Sequence, residues 1–129
     1  MILEHTLYDE VRDLVQDTEN KDIDIFIEPA LATGRIRPDI VIHNKKNNKY
    51  KILEVISAQS NDRYLPLSIA GNIINMKEQF KKYRNPEVCL VYEGKIPKPL
   101  EKVLAKEHVK TISVDSNLKQ QVYGLVNNW

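Results

Sequence analysis

Two acidic residues, Asp39 and Glu54, are the side chains of this sequence best placed to do chemistry. Each lies in a short apolar and β-branched segment, Arg37–His43 and Tyr50–Ser57, of the kind that forms a strand. The polar stretch Asn44–Lys49 between these segments predicts a hairpin turn. Pairing of the two strands would therefore bring acids that are far apart in sequence onto one sheet.

The register of this hairpin decides whether the two carboxylates meet. If His43 pairs with Tyr50 across the turn, Asp39 lies directly opposite Glu54, whereas a slip of one residue would separate them. Facing like charges destabilise a sheet, and they raise the pKa of one of the two acids. A divalent cation removes this conflict, because Mg²⁺ and Mn²⁺ take oxygen ligands from carboxylates, water and phosphate. The hairpin therefore predicts a site for Mg²⁺ or Mn²⁺.

The composition predicts a single domain spanning residues 1–129. Of the 129 residues, 42% are hydrophobic and 29% are charged, which is ordinary for a globular protein. A single cysteine, Cys89, excludes an intramolecular disulfide and a cysteine-rich zinc site. No apolar run approaches the ~20 residues that cross a bilayer, and the first residues lack the pattern of a signal peptide. We therefore expect a cytoplasmic protein that does not enter a membrane.

The distribution of charge is less informative. The net charge is +1, which does not announce a nucleic-acid-binding protein. Basic residues nevertheless cluster in two segments, one with Lys45, Lys46, Lys49 and Lys51, the other with Lys77, Lys81, Lys82 and Arg84. Each segment taken alone is better explained as a solvated surface than as a binding site.

Hydrophobic periodicity predicts helices and strands in the order αβββαβαβα. The predicted helices are Leu3–Asp17, Ser68–Arg84, Pro99–Glu107 and Ser116–Val126. The predicted strands are Lys21–Glu28, Arg37–His43, Tyr50–Ser57, Glu87–Tyr92 and Lys110–Val114. A three-strand meander followed by a helix and a buried strand implies an α/β fold with a mixed central sheet flanked by helices.

The hairpin resembles the motif of the PD-(D/E)XK nuclease superfamily, which has the restriction-endonuclease-like fold. The matching residues are Pro38-Asp39 and then Glu54, within the run Ile52-Leu53-Glu54-Val55-Ile56. The order of elements also agrees with that family, so the resemblance covers most of the chain, from about Leu3 to Tyr92. It implies a metal-dependent nuclease that hydrolyses phosphodiester bonds in DNA or RNA, with Asp39 and Glu54 as catalytic metal ligands.

The resemblance also implies a further metal ligand from the first helix. Many members of the family use an acid there, and Glu10 lies on the apolar stripe between Leu7 and Leu14. Glu10 is equally well explained as a boundary residue of a solvated helix. Some relatives use a histidine of this helix, which makes His5 a weaker candidate, although a lone histidine near a terminus is more often on the surface.

One position departs from the family pattern. The lysine that the family carries two residues beyond the second acid is replaced here by Ile56. In the assumed register Arg37 lies opposite Ile56, and its guanidinium could face the phosphate instead. Lys77 or Lys81, one turn apart on the second helix, is another candidate, because some relatives draw their lysine from that helix. Alternatively, Arg37 forms an ion pair with the two acids and leaves no metal site.

Three functions therefore stay open. The first is a metal-dependent nuclease with Asp39, Glu54 and either Lys77 or Arg37 at its catalytic site. The second is a catalytically inactive PD-(D/E)XK-like domain that binds nucleic acid or a protein partner. The third is a protein-interaction or assembly module whose hairpin is only structural. A nuclease of this size that acts on a duplex is expected to work as a homodimer or within a larger protein complex.

Overall fold

The computed structural model of the chain describes residues 7–29, 38–56, 66–81, 86–114 and 117–129. The helices are α1 (Leu7–Gln16), α2 (Pro66–Phe80), α3 (Lys98–Lys106) and α4 (Leu118–Asn127). The strands are β1 (Ile23–Ile27), β2 (Ile40–Asn44), β3 (Lys49–Ile56), β4 (Glu87–Glu93) and β5 (Lys110–Val114). Their order along the chain, αβββαβαβα, confirms the prediction.

The five strands form one mixed sheet in the order β1-β2-β3-β4-β5. The first three strands are antiparallel neighbours, whereas β4 runs parallel to β3, and β5 runs parallel to β4. The side chains of Val88 to Tyr92 in β4 are all buried, as expected for a strand covered on both faces. Among the described residues, no helix is long and apolar enough to span a bilayer.

Apolar side chains fill both sides of the sheet and attach the helices to it. On one side, α1 and α4 pack against β-strand residues that include Ile40, Leu53 and Val91. On the other side, α2 and α3 pack against residues that include Ile52 and Leu90. Leu53 and Ile52 are neighbours in β3 that point to opposite faces, which is the alternation of a strand buried on both sides.

The ends of several elements differ from the predicted boundaries. Helix α2 begins at Pro66, two residues before the predicted start at Ser68, because the fixed φ of proline suits the first turn of a helix. Strand β2 begins at Ile40, so Pro38 and Asp39 precede the regular ladder. Proline has no N–H to donate to a ladder, which accounts for this later start.

A buried lysine attaches α4 to the sheet. Lys51 in β3 is only 2% exposed, and its Nζ donates hydrogen bonds to the carbonyl oxygen of Leu125, at 2.7 Å, and to that of Asn128. The same ammonium lies 4.5 Å from the ring centre of Trp129. Burial lowers the pKa of the Lys51 ammonium. A cation at this place complements the negative end of the helix dipole.

Replacing Lys51 by methionine should destabilise the fold. Methionine keeps most of the aliphatic stem but leaves the Leu125 and Asn128 carbonyl oxygens without their donor, at a cost of about 1–3 kcal/mol in the free energy of unfolding. Urea unfolding measures this cost. The matched control is Lys49→Met, two positions earlier on the same strand and exposed, which should change the free energy of unfolding by about 0.5 kcal/mol or less. Equal effects of the two substitutions would contradict the capping role of Lys51.

Candidate active site

The turn between β2 and β3 fixes the register of the hairpin. The Oδ1 atom of Asn44 accepts a hydrogen bond from the N–H of Lys46 at 2.9 Å, and Asn48 takes a left-handed φ of 57°, which asparagine tolerates better than most residues. The Nε2 atom of His43 lies 2.8 Å from the Oδ1 atom of Asn48. With the turn held in this way, His43 pairs with Tyr50, which confirms the assumed register.

This register brings Asp39 and Glu54 together where the ladder ends. The N–H of Asp39 donates a hydrogen bond to Glu54 Oε1 at 2.9 Å, and the N–H of Val55 donates one to Asp39 Oδ2 at 2.8 Å. Each carboxylate therefore accepts a hydrogen bond from the backbone of the opposite strand. Both side chains are half-buried and lie on the sheet face that also carries Ile52 and Ile56.

The backbone of Asp39 is also held from β1. The N–H of Glu28 donates a hydrogen bond to the carbonyl oxygen of Asp39 at 2.9 Å. Glu28 has a φ of 43°, a left-handed conformation that is uncommon for a residue with a side chain. Both backbone polar groups of Asp39 are therefore bonded, and two neighbouring chain segments, the end of β1 and β3, hold the residue that carries this carboxylate.

Burial and mutual repulsion change the protonation of the pair. Burial, together with the charge of Asp39, raises the pKa of Glu54 to about 8. Burial also raises the pKa of Asp39; the N–H of Val55 opposes this rise, and the charge of Glu28 adds to it. Glu54 is therefore mainly protonated at neutral pH in the free protein. Two half-buried carboxyl groups in conflict are a donor set that suits a hard divalent cation.

Tyr8 in α1, which no sequence pattern singled out, has a phenol that interacts electrostatically with Asp39 and Glu28. Its hydroxyl oxygen is buried and has no hydrogen-bond partner among the described residues. Burial raises the pKa of Tyr8, and the charges of Glu28 and Asp39 add to the rise. The phenol therefore stays neutral and keeps a proton to donate. The signal in the sequence is weak, because Tyr8 only flanks the apolar stripe of the helix.

The described residues place no third candidate metal ligand beside Asp39 and Glu54. Glu10 lies on the exposed side of α1, and His5 lies outside the described residues. In the part of the chain that the structure describes, no group of three His, Cys, Asp or Glu side chains is close enough to share a metal ion. Asp39 and Glu54 are therefore the two candidate ligands that the described residues bring together, and the metal-binding roles of Glu10 and His5 stay predictions.

Lys77, one of the candidate cations, lies far from Asp39 and Glu54. Lys77 lies near the C-terminal end of α2, where its Nζ donates to the carbonyl oxygen of Glu107. It lines a cleft with Lys49 at the start of β3, whereas Glu54 lies near the end of that strand. Lys49 and Glu54 are five residues apart in β3, a distance of about 17 Å, so this structure does not bring Lys77 to the carboxylates.

The position of the family lysine is apolar in space as well as in sequence. Ile56 packs against the hydrophobic cluster beneath α2 and α3. Among the described residues, no lysine or arginine forms an ion pair with Asp39 or Glu54. Arg37, which would lie opposite Ile56, falls outside the described residues, so its role stays a prediction.

The fold is similar to that of a solved structure, EndoMS in complex with double-stranded DNA. The TM-score is 0.63 at 15% sequence identity, and the match covers 89% of this chain and 46% of the EndoMS chain. This chain thus spans less than half the length of that neighbour. No protein-family model and no curated protein matches the chain. The likeness shows the fold alone, and it confirms the predicted α/β domain with a mixed central sheet flanked by helices.

Replacing Glu54 by glutamine should alter how stability depends on pH. The folded pKa of Glu54 is about 8, against an ordinary value of 4.5. Folding therefore takes up a proton at Glu54. The resulting contribution to the free energy of unfolding is complete below pH 4.5 and is lost as the pH rises to about 8. The slope approaches about 1.4 kcal/mol per pH unit for one proton. Glutamine does not titrate, and its amide oxygen can still accept the N–H of Asp39.

Urea unfolding in EDTA, at pH values between 4.5 and 8, tests this prediction. The stability of the Glu54→Gln variant should fall less steeply than that of the parent, and the variant should be the more stable protein at the alkaline end. The control Glu101→Gln, at an exposed position of α3, should follow the parent. Parallel profiles for the parent and Glu54→Gln would contradict a raised pKa at this residue.

Proposed function

We propose that this protein is a divalent-metal-dependent nuclease of the PD-(D/E)XK type. The observation that carries the proposal is the hydrogen-bonded pair of Asp39 and Glu54, at the place in the fold where the resemblance puts its metal ligands. The similarity to EndoMS, whose solved structure contains double-stranded DNA, supports nucleic acid as the substrate. The reaction is hydrolysis of a phosphodiester bond in DNA or RNA.

In this proposal Asp39 and Glu54 hold Mg²⁺ or Mn²⁺. The ion supplies Lewis-acid chemistry, because it polarises the phosphodiester and lowers the pKa of water. The protein contributes fixed ligands: the N–H of Val55 orients the Asp39 carboxylate, and the N–H of Asp39 orients that of Glu54. The oxygen of water would bond to phosphorus and release a proton to solvent, while the bond to the leaving sugar oxygen breaks and that oxygen takes up a proton from solvent, so that one water is consumed.

Tyr8 offers part of what the missing lysine would have supplied. Its neutral hydroxyl, which has no hydrogen-bond partner among the described residues, can donate a hydrogen bond to an oxygen of the phosphate as negative charge develops there. It carries no positive charge, so it replaces the donor of a lysine and not its electrostatic field. A Tyr8→Phe variant should therefore lower the cleavage rate without removing the metal site.

A second candidate function rests on Ile56. An apolar side chain at the position of the family lysine is what a catalytically inactive relative would carry. Such a domain would bind nucleic acid or a protein through the same scaffold and would cleave nothing. Calorimetric titration with Mn²⁺, combined with a cleavage assay, separates the two functions, because only a nuclease needs the metal and the carboxylates together.

Cleavage should require both carboxylates and a divalent ion. The assay incubates labelled single-stranded DNA, single-stranded RNA and duplex DNA with Mn²⁺, Mg²⁺ or EDTA. We expect at least one of these substrates to be cut when a metal ion is present. Asp39→Asn and Glu54→Gln should each lower the rate by about a hundredfold or more, because removing one preorganised electrostatic group costs this much. The same variants should weaken Mn²⁺ binding in the calorimeter.

The control for these assays is Glu101→Gln, an acid-to-amide change of the same kind at an exposed position of α3. It should leave the cleavage rate and the Mn²⁺ affinity unchanged. Cleavage that persists in the Asp39→Asn protein would point to a contaminating nuclease. Tight nucleic-acid binding with no cleavage under any metal condition would favour the inactive domain.

A further inference from the structure

The sheet face that carries Asp39 and Glu54 stays partly open beyond these residues. The register places Phe26 opposite Val41, and His43 opposite Tyr50, on this same face. Phe26 is 45% exposed, which is unusual for a large apolar side chain, and Val41 is half-buried. The first two strands therefore present apolar and aromatic surface next to the carboxylates.

A second aromatic surface lies further along the same strands. The rings of His43 and Tyr50 are stacked, with their centroids 4.2 Å apart and their planes inclined by 12°. The contact between His43 Nε2 and Asn48 Oδ1, at 2.8 Å, holds the histidine ring in place. Four residues of extended strand separate His43 from Asp39, a distance of about 13 Å.

The face ends in a cleft where two basic segments of the sequence meet. The cleft has a volume of about 490 Å³, and Lys49 and Lys77 line it together with Tyr50. Its other lining residues include one acid, Glu87, and one histidine, His108. Neither lysine forms an ion pair within the described residues, although Lys77 donates to a backbone carbonyl.

The other side chains at this end of the sheet do not cancel the positive charge of the lysines. The acid opposite His43 on β1, Asp24, is 3.6 Å from the ammonium of Lys45 and is thereby largely compensated. Lys46 is exposed at the tip of the same turn. Stacked rings next to lysines match the two parts of an unpaired nucleic-acid strand, since rings bind bases and lysines bind phosphates.

We infer that this face, together with the cleft at its end that Lys49 and Lys77 line, is the binding track for an unpaired segment of a nucleic-acid strand. The track consists of Phe26, His43, Tyr50, Lys49 and Lys77, and it leads away from Asp39 and Glu54. The inference rests on the proposed function for the place where the strand is cut. Bases of an unpaired segment stack on Phe26 and on the His43–Tyr50 pair, while the phosphates beyond them contact Lys49 and Lys77. Bases inside a duplex are stacked on each other and cannot use these rings.

Binding without cleavage tests the inference first. Fluorescence anisotropy in EDTA measures the affinity of the full chain for labelled single-stranded DNA, single-stranded RNA and duplex DNA of equal length. We expect one of the single strands to bind at least tenfold more tightly than the duplex. The DNA and RNA arms identify the sugar that the track accepts. Equal affinity for single strand and duplex, or preference for the duplex, would overturn the inference.

Aromatic variants test the stacking role. Phe26→Ala and Tyr50→Leu should each weaken single-strand binding about fivefold or more, the effect expected for losing one base–aromatic stack. The matched control is Tyr123→Leu, a half-buried tyrosine on α4 that also has a lysine near its ring. Because Phe26 is exposed, Phe26→Ala should fold even if Tyr50→Leu does not. Unchanged affinity in Phe26→Ala would count against the track.

Lysine variants test the phosphate contacts through salt dependence. For a single strand, each neutralised phosphate contributes about 0.7 to the slope of log affinity against log salt. Lys49→Gln combined with Lys77→Gln should therefore reduce the slope by about 1.4. Lys102→Gln, at an exposed position of α3, is the control and should leave the slope unchanged. Lys49→Gln alone should reduce the slope by half as much, which keeps the test independent of the backbone contact of Lys77.

Failure of the inference is distinguishable from failure of the proposed function. Single-strand binding that depends on Phe26 and Lys49, without any cleavage, would support the track and overturn the nuclease. Metal-dependent cleavage that is indifferent to Phe26 and Tyr50 would support the nuclease and overturn the track. Self-association of the free protein that Phe26→Asp abolishes would assign this face to a second copy of the chain, and would also overturn the inference.

Discussion

The hydrogen bonds that join Asp39 to Glu54 and to Val55 form where the β2–β3 ladder ends. Pro38 has no N–H, so the regular pairing stops at Ile40 and Leu53, and side-chain oxygens accept the next backbone N–H groups. The cost of bringing two acids into one half-buried place appears as the raised pKa of Glu54. An arrangement that is electrostatically unfavourable by itself, yet held by neighbouring chain segments, is what a preorganised cation site requires.

The rest of the sheet gives the two ends of the β2–β3 hairpin different surroundings. Strand β4 is buried on both faces and anchors the parallel half, whereas β1 and β2 form the half on which Phe26 stays exposed. Helix α2 must return from the end of β3 to the start of β4, because those two strands are parallel. This return carries Lys77 to the far end of β3 and leaves the carboxylates without it.

The absence of the family lysine takes on a different meaning in three dimensions. Ile56 contributes to the core, so the position cannot be restored to a charge without loss of packing. The phenol of Tyr8 interacts electrostatically with Asp39, and a pair of lysines lines the cleft at the other end of the hairpin. In the proposed function, hydrolysis and substrate binding would therefore take place at different points along one strand, which would favour a substrate long enough to reach both.

The sequence by itself determined the order of elements, the sheet class and the carboxylate pair, because strand periodicity and turn composition are local properties. The turn residues even fixed the register, since His43, Asn44 and Asn48 make their contacts within the hairpin. Only the tertiary structure decided that Tyr8 interacts electrostatically with Asp39 while Glu10 is exposed, and that Lys77 joins Lys49 in one cleft. Those outcomes depend on how helices rotate and run across the sheet, which the packing of distant side chains sets. The carboxylates could be predicted because one hairpin holds both, and the lysine cleft could not because its parts come from separate elements.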